Sequence, residues 1–459
     1  MDATRQKIQL HLAFDMGTAS EARPDVPQGI EASAATRAPN HPASATLMEE
    51  VCERENLKEA LRRVRRNKGS AGGDGMTVEQ LPAYLKEHWP AIRAQLLTGT
   101  YRPHPVRRVE IPKPDGGQRK LGIPTVLDRF IQQAILQVLQ RHWDATFSDS
   151  SYGFRPHRSA HQAVARAQAH ITAGFRWVVD LDLEKFFDRV NHDHLMGRAA
   201  QRIADKRLLT LLRAYLNAGV MEHGLVSPSD EGTPQGGPLS PLLSNLVLDD
   251  LDRELTRRGH RFVRYADDCN IYVGSHQAGQ RVMASVSRFI TTRLKLTVNQ
   301  AKSAVARPAA RKFLGFSFTP GGRPKRRIAP TALVRMKARV RRMTQRTRGV
   351  SLQQMAEELA TYLTGWRGYF DYCETRSVLL DLDSWLHRRL RCVMWKQWKR
   401  GPRRFAELRR LGVGKDLAAQ TAGSPFGPWH ISRTPALSFA LPGAYFDSLG
   451  LPRLATRRA

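Results

Sequence analysis

Asp267 and Asp268 stand side by side within Phe262-Val-Arg-Tyr-Ala-Asp-Asp-Cys-Asn-Ile-Tyr-Val273. Apolar, β-prone residues flank them, the pattern of a β-hairpin with an acidic tip. Adjacent carboxylates repel, so a pair at a turn is costly unless a cation shares their charge. Asp-Asp is also ordinary turn chemistry, and the dipeptide alone does not separate the two readings. A second acidic stretch bears on the choice. Trp177-Val-Val-Asp-Leu-Asp-Leu183 reads as a buried strand in which Val178, Asp180 and Asp182 share one face and Val179, Leu181 and Leu183 the other. Carboxylates in such a strand are expensive unless they bind something. Oxygen-only donors suit magnesium.

The elements that would carry these residues follow from periodicity. Helical patterns run over 47–66, 78–97, 128–143, 208–216, 242–255 and 282–294. Arg107 to Pro124 reads as two short strands around the turn signature Asp115-Gly116-Gly117, with Lys113 and Arg119 on opposite arms facing one phosphate-sized target. Ser151-Tyr-Gly-Phe-Arg-Pro-His-Arg158 is a basic-aromatic loop, and Gly232-Thr-Pro-Gln-Gly-Gly-Pro-Leu-Ser-Pro241 is dense in turn formers. Leu296 to Ser303 and Phe313 to Phe318 read as strands or strand ends. Beyond them Leu352, Met355, Leu359, Leu363, Trp366 and Phe370 recur at helical steps.

The net charge is +31, from 73 Lys+Arg against 42 Asp+Glu. That excess favours a polyanionic partner, nucleic acid ahead of membrane. It is also clustered, with fifteen Lys/Arg and no Asp/Glu between Ala301 and Val350. The four cysteines form no C-x-x-C pair, which supports neither a zinc ribbon nor a disulfide framework and fits a reducing cytosol. No signal-peptide pattern and no run of transmembrane length is present, so a cytoplasmic protein is expected, at the nucleoid when bound to DNA.

Tyr265-Ala-Asp-Asp268, Gln235-Gly-Gly-Pro-Leu-Ser-Pro241 and Asp182-Leu-Glu-Lys-Phe-Phe-Asp188 resemble the core motifs of reverse transcriptases, in that family's order. Ile111-Pro-Lys113, Arg119-Lys-Leu-Gly-Ile-Pro124 and Phe313-Leu-Gly-Phe316 extend the set. Gly69-Ser-Ala-Gly-Gly-Asp-Gly-Met-Thr77 and Tyr362-Leu-Thr-Gly-Trp-Arg-Gly-Tyr-Phe370 resemble the group II intron-encoded proteins, which join a reverse transcriptase to a maturase. The tail Gly427-Pro-Trp-His-Ile-Ser-Arg433 looks like the compact bacterial class C members, which lack the endonuclease domain.

The resemblance implies an α+β right-hand polymerase: fingers, a palm with an antiparallel sheet, and an α-helical thumb. The expected organisation is a mobile tail over 1–45, fingers and palm over 46–320 with an N-terminal extension over 46–100, a basic linker and thumb/maturase domain over 321–400, and a basic nucleic-acid-binding region over 401–459. It implies two Mg2+ ions held by Asp182, Asp267, Asp268 and the main-chain oxygen of Leu183, with Asp180 the alternative on the same strand face. Phe187 resembles the steric gate that selects dNTPs, with Phe186 the core ring beside it. Lys113 and Arg119 resemble the triphosphate clamp, Gln235 the loop supporting nucleotide and template, and Lys302 the lysine of a later palm motif. Nucleic-acid contacts are expected at Arg155, Gly236, Tyr265, Arg326, Arg327, Arg339, Arg367 and Arg388. The implied partners are group II intron RNA, an RNA template and a DNA primer or target. The competing readings are a reverse transcriptase of this lineage adopted for phage defence or CRISPR spacer acquisition, and a non-enzymatic RNA-binding splicing factor.

Overall fold

The computed structural model describes residues 46–112, 118–222, 225–227, 232 and 236–455. The expectations for the tail over 1–45 and for Lys113 and Gln235 lie outside the described residues. The chain divides into two compact units, Met1–Arg307 and Pro308–Ala459.

The first unit begins with helices α1 (Leu47–Val51), α2 (Arg54–Asn67) and α3 (Leu81–Thr98). The single helix expected over 47–66 is interrupted at Cys52 and Glu53, and Asn56 holds the break by donating to the Val51 carbonyl at 3.0 Å. Strands β1 (Val106–Pro112) and β2 (Gln118–Ile123) pair antiparallel, and β4 (Val220–Glu222) and β5 (Leu225–Ser227) extend this sheet in the order β2-β1-β4-β5. Helix α4 (Val126–Trp143) starts where the Thr125 hydroxyl accepts the Asp128 N–H, an N-cap that satisfies an orphan donor. Helix α5 (Ala160–Thr172) starts with a capping box between Ser159 and Gln162.

A second sheet holds the acidic residues. Its strands are β3 (Trp177–Leu181), β6 (Arg261–Tyr265), β7 (Asp268–Val273) and β8 (Ala304–Ala306), in the order β6-β7-β3-β8, every neighbour antiparallel. The expected hairpin is β6 and β7, closed by a two-residue turn of Ala266 and Asp267, with Tyr265 opposite Asp268. Strand alternation sets the faces: Val179, Leu181 and Leu183 of the β3 stretch, with Phe262, Cys269, Ile271 and Val273, point into one apolar core. Helices α6 (His192–Ala200), α7 (Lys206–Asn217), α8 (Ser240–Arg257) and α9 (His276–Arg293) cover that core with Leu195, Leu212, Leu246, Val286 and Ile290. Asp180 and Asp268 therefore lie on the opposite face.

The strand expected through Leu183 ends at Leu181, after which only an isolated bridge pairs Leu183 with Val298. The strand or strand end expected over 296–303 reduces to that bridge. Asn299 turns the chain, its carbonyl and side-chain oxygen both accepting the Lys302 N–H at 3.3 Å.

The second unit opens with β9 (Phe316–Phe318) and β10 (Arg326–Ile328), an antiparallel pair. Helices α10 (Pro330–Met343), α11 (Leu352–Phe370) and α12 (Ser377–Gln397) follow. The buried faces of the last two carry the predicted period: Leu352, Met355, Leu359, Leu363 and Trp366, then Leu379, Leu382, Leu386 and Leu390. Shorter helices α13 (Gly401–Arg410), α14 (Lys415–Ala422), α15 (Pro428–Ile431), α16 (Pro435–Ala440) and α17 (Gly443–Ser448) complete it.

Candidate active site

Asp182 leaves β3 one residue after Leu181, which pairs with Cys269. Continuing that register by one step sets Asp182 across from Asp268, the first residue of β7, with Asp267 in the adjoining turn. The three carboxylates so share one end of one sheet. Asp180 lies one pair further in, opposite Asn270.

The Asp182 backbone is fixed from a distant segment. Its carbonyl accepts the Asn299 N–H at 2.8 Å, and its N–H donates to the Ser303 hydroxyl at 3.0 Å. Glu184 N–H donates to the Thr297 carbonyl at 2.8 Å. Peptide groups alternate sides along an extended chain, so with Asp182 and Glu184 turned toward 297–299 the Leu183 carbonyl points to the other edge, where the hairpin lies. The Lys302 ammonium sits 3.7 Å from an Asp182 carboxylate oxygen and is 70 % exposed, in reach of that carboxylate and of any anion in front of it.

The hairpin tip is held from below. Arg264 is fully buried, and its guanidinium makes a bidentate pair with the equally buried Asp252, at 2.8 and 2.6 Å. It also donates to Asn245 Oδ1 at 3.0 Å, Ser151 Oγ at 2.7 Å and the Ala266 carbonyl at 2.9 Å. Burial lifts the Asp252 pKa, against the pull of Arg264. Breaking a buried pair of this kind costs about 3–5 kcal/mol. Ala266 adopts φ 56°, a left-handed conformation that costs a non-glycine residue ~1–2 kcal/mol. Gly153 backs onto it so closely that a Cβ at 153 would lie 2.2 Å from the Ala266 nitrogen. Sequence reading passed over Arg264; a lone basic residue inside an apolar strand is the signal that marks it.

After Leu183 the chain turns through Lys185, at φ 48°, into a short 3-10 helix, Phe186–Asp188. Phe186 is 2 % exposed and belongs to the core, whereas Phe187 is half-buried against it, the two rings 5.3 Å apart edge to face. Gly232, at φ +90°, lies behind the gate candidate: a Cβ there would stand 2.9 Å from the Phe187 carbonyl. Buried His192 meets the Gly232 carbonyl through Nε2 at 2.6 Å and Asn217 through Nδ1 at 3.2 Å. Gly236 is exposed at φ +136°, a Cβ there being 2.7 Å from the Gly122 carbonyl. Arg119 pairs with Ile111 in the first sheet. Tyr265 is half-buried, and burial raises its phenol pKa.

The arginines expected at nucleic acid divide. Arg155 is 4 % exposed and committed to the fold. It pairs with the Asp144 carboxylate at 2.9 and 3.3 Å and donates to the carbonyls of Asp144, Ser148 and Ser151 at 2.7, 2.7 and 3.1 Å. That placement corrects the expectation of a nucleic-acid contact there, because every guanidinium donor already has an acceptor. In the second unit Arg326 stacks on Tyr372 at 4.0 Å and pairs with Glu374, and Arg327 reaches Ser317 and the Ala309 carbonyl at 2.9 and 2.8 Å. Arg388 lies 3.6 Å over Trp429. Arg339 and Arg367 are half-buried on α10 and α11.

The donor set suits the implied magnesium in kind. Three carboxylates and a peptide oxygen are hard ligands, and Mg2+ takes one or two carboxylates and completes its shell from substrate and water. An all-protein cage is a different matter: among the described residues no group of three or more His, Cys, Asp or Glu side chains could hold a metal ion.

Comparison with known families bears on both units. The family model for reverse transcriptase (RNA-dependent DNA polymerase) matches residues 111–318, and that for the group II intron maturase-specific domain matches 333–412. Protein YkfC of Escherichia coli is 41% identical over 218 residues, covering 46% of this chain and 57% of that protein. Group II intron-encoded protein LtrA of Lactococcus lactis is 30% identical over 320 residues, covering 55% of this chain and 53% of that protein. The chain thus spans little more than half the length of these curated relatives. Among solved structures, telomerase from Candida albicans aligns at 13% identity and TM-score 0.39, over 64% of this chain and 59% of that one, too distantly to carry an argument. The acidic sheet end lies within 111–318, and the helical second unit holds 333–412. This α+β chain therefore joins a reverse transcriptase domain to a group II intron maturase-specific domain and is homologous to LtrA and other intron-encoded proteins.

Proposed function

We propose that this protein is an RNA-directed DNA polymerase that also binds group II intron RNA as a maturase. The observation that carries the reading is the register of β3 against β7, which gathers Asp182, Asp267 and Asp268 at one sheet end inside the reverse transcriptase match. Two bound Mg2+ ions would supply charge neutralisation for the attacking 3′-oxygen and the departing pyrophosphate. Asp182, Asp267, Asp268 and the Leu183 carbonyl would hold them. Phe187 stands at the floor of the sugar site and excludes a 2′-hydroxyl by bulk. Lys302 moves between Asp182 and the triphosphate, which its 3.7 Å spacing and exposure permit. Lys113 and Arg119 clamp the phosphates, and Gln235 and Gly236 support the nucleotide and template.

The second unit supplies grip. It carries 30 Lys+Arg against 9 Asp+Glu over 308–459, where 1–307 carries 43 against 33. Such an excess favours the phosphates of intron RNA and of the template–primer duplex, with affinity falling steeply in salt. Arg326, Arg327, Arg339, Arg367 and Arg388 are its proposed contacts. Among the described residues no helix is long and apolar enough to cross a membrane, and the working site is proposed to be the bacterial cytoplasm.

Primer extension on an RNA template with dNTPs and magnesium tests the reading. The wild type is expected to synthesise cDNA, and Asp267→Ala/Asp268→Ala to lose roughly 10³-fold or more. A silent wild type that still binds intron RNA would reject the polymerase and leave a splicing factor.

A further inference from the structure

We propose that Arg264 is a positioning residue for the polymerase centre, setting the place of the Asp267 carboxylate through the turn that carries it. The inference rests on the reading of Asp267 as a site residue.

The peptide unit is planar, so whatever holds the Ala266 carbonyl also fixes the direction of the Asp267 N–H. Arg264 holds that carbonyl at 2.9 Å from two residues upstream. The guanidinium is itself immobilised by Asp252 at 2.8 and 2.6 Å, Asn245 at 3.0 Å and Ser151 at 2.7 Å. The clamp has a second jaw. Asn245 donates to the Gly153 carbonyl at 2.9 Å, and Gly153 bears directly on the Ala266 nitrogen. The main chain of Arg264 is tied to the same loop, its N–H donating to the Ser150 carbonyl at 2.8 Å and its carbonyl accepting the Tyr152 N–H at 2.9 Å. The left-handed turn residue is thus gripped on both sides of its peptide. Arg264 thus acts on Asp267 through the backbone, by way of the Ala266 carbonyl.

Arg264→Lys separates positioning from stability. Lysine keeps the charge beside Asp252, but a single ammonium cannot serve the acid, Asn245, Ser151 and the Ala266 carbonyl in a planar fork. Arg202→Lys is the matched control. Arg202 is also buried, pairs with Asp249 of α8 at 2.6 Å and bonds Thr146 at 2.9 Å, yet makes no hydrogen bond to the hairpin. Both variants are expected to fold with similar losses in melting temperature. The deciding readout is Mn2+ binding, followed by electron paramagnetic resonance on protein with primer-template and no dNTP, alongside kcat and KM for dNTP in primer extension. Arg264→Lys should weaken Mn2+ binding about three- to tenfold and lower kcat about ten- to a hundredfold with KM little changed. Arg202→Lys should leave both near wild type. Equal Mn2+ binding in the two lysine variants overturns the proposal and leaves Arg264 a stabilising residue only. Asp267→Ala, run in parallel, separates the layers: if it leaves Mn2+ binding unchanged, the reading of Asp267 fails and the positioning proposal falls with it.

Discussion

Buried arginines in the 46–307 unit meet carboxylates: Arg155 with Asp144, Arg202 with Asp249, Arg264 with Asp252. In the 308–455 unit the half-buried arginines of α12 do not. Arg389 donates to the Thr344 hydroxyl and carbonyl at 2.7 and 3.2 Å, Arg391 to the Leu441 carbonyl at 3.0 Å, and Arg388 to the Trp429 carbonyl at 2.9 Å. Among the described residues none of the three is ion-paired, and burial lowers the pKa of each. Trp385 has Lys337, Arg341 and Arg389 all within 5.7 to 5.8 Å of its ring. The first unit ties its buried arginines to acids and uses them as scaffold. Around Trp385 the second unit leaves like charges crowded. Residue type alone does not tell these two uses of arginine apart.

Three measurements would break or sharpen that contrast. The largest effect is expected on stability in the first unit: Arg155→Ala strips Asp144 and three carbonyls of their donor and should cost about 3 kcal/mol in denaturant unfolding. Arg389→Ala, with no acid left behind, should cost about 1 kcal/mol. Equal losses would erase the distinction. Next comes pH. His170 is buried beside Arg166 and Arg261 with its ring 5.5 Å from Tyr272, and burial pushes its pKa down to about 4. The unfolded chain, near 6.5, binds a proton that the folded one refuses. Its stabilising contribution is therefore full above about pH 6.5 and is lost as pH falls toward 4, roughly 2–3 kcal/mol in all. His170→Phe should flatten the stability profile in that window, and an unchanged slope would show that the site tolerates charge. The smallest stability effect belongs to the exposed pair of α10. Arg341→Ala/Arg342→Ala should shift stability by less than about 0.5 kcal/mol yet make the salt dependence of RNA binding shallower by roughly 1–2 in log–log slope. A normal slope would remove these two from the RNA surface.

The acidic hairpin and the inward alternation of β3 were legible because both are written locally. Period-two patterning needs only the residues of the strand itself. Asp182 shares the alternation of β3, whereas the roles expected of Phe186 and Phe187 rest on the resemblance to reverse transcriptases. What escaped depends on partners far along the chain. Nothing near Arg155 announces that its side chain folds back onto Asp144, and its basic-aromatic surroundings imitate a surface loop. Arg264 is marked locally only as a lone basic residue in an apolar strand, because Asp252 and Ser151 meet it only after α8 and the loop at 150–153 have packed. Residues 296–303 read as strand or strand end, whereas Asn299 turns them, and the Asn299 N–H and Ser303 hydroxyl hold the Asp182 backbone.

The backbone of Asp182 is tied to Asn299 and Ser303, 121 residues separating the aspartate from the serine. Translation delivers these parts in order, and the last fastener is among the final residues of the first unit. A ribosome that has passed the Asp267-Asp268 turn has already made all three acids, yet the backbone of the first lacks these two anchors until Asn299 and then Ser303 emerge. Truncated products that stop between the turn and Ser303 would carry all three acids with the Asp182 N–H lacking its Ser303 partner.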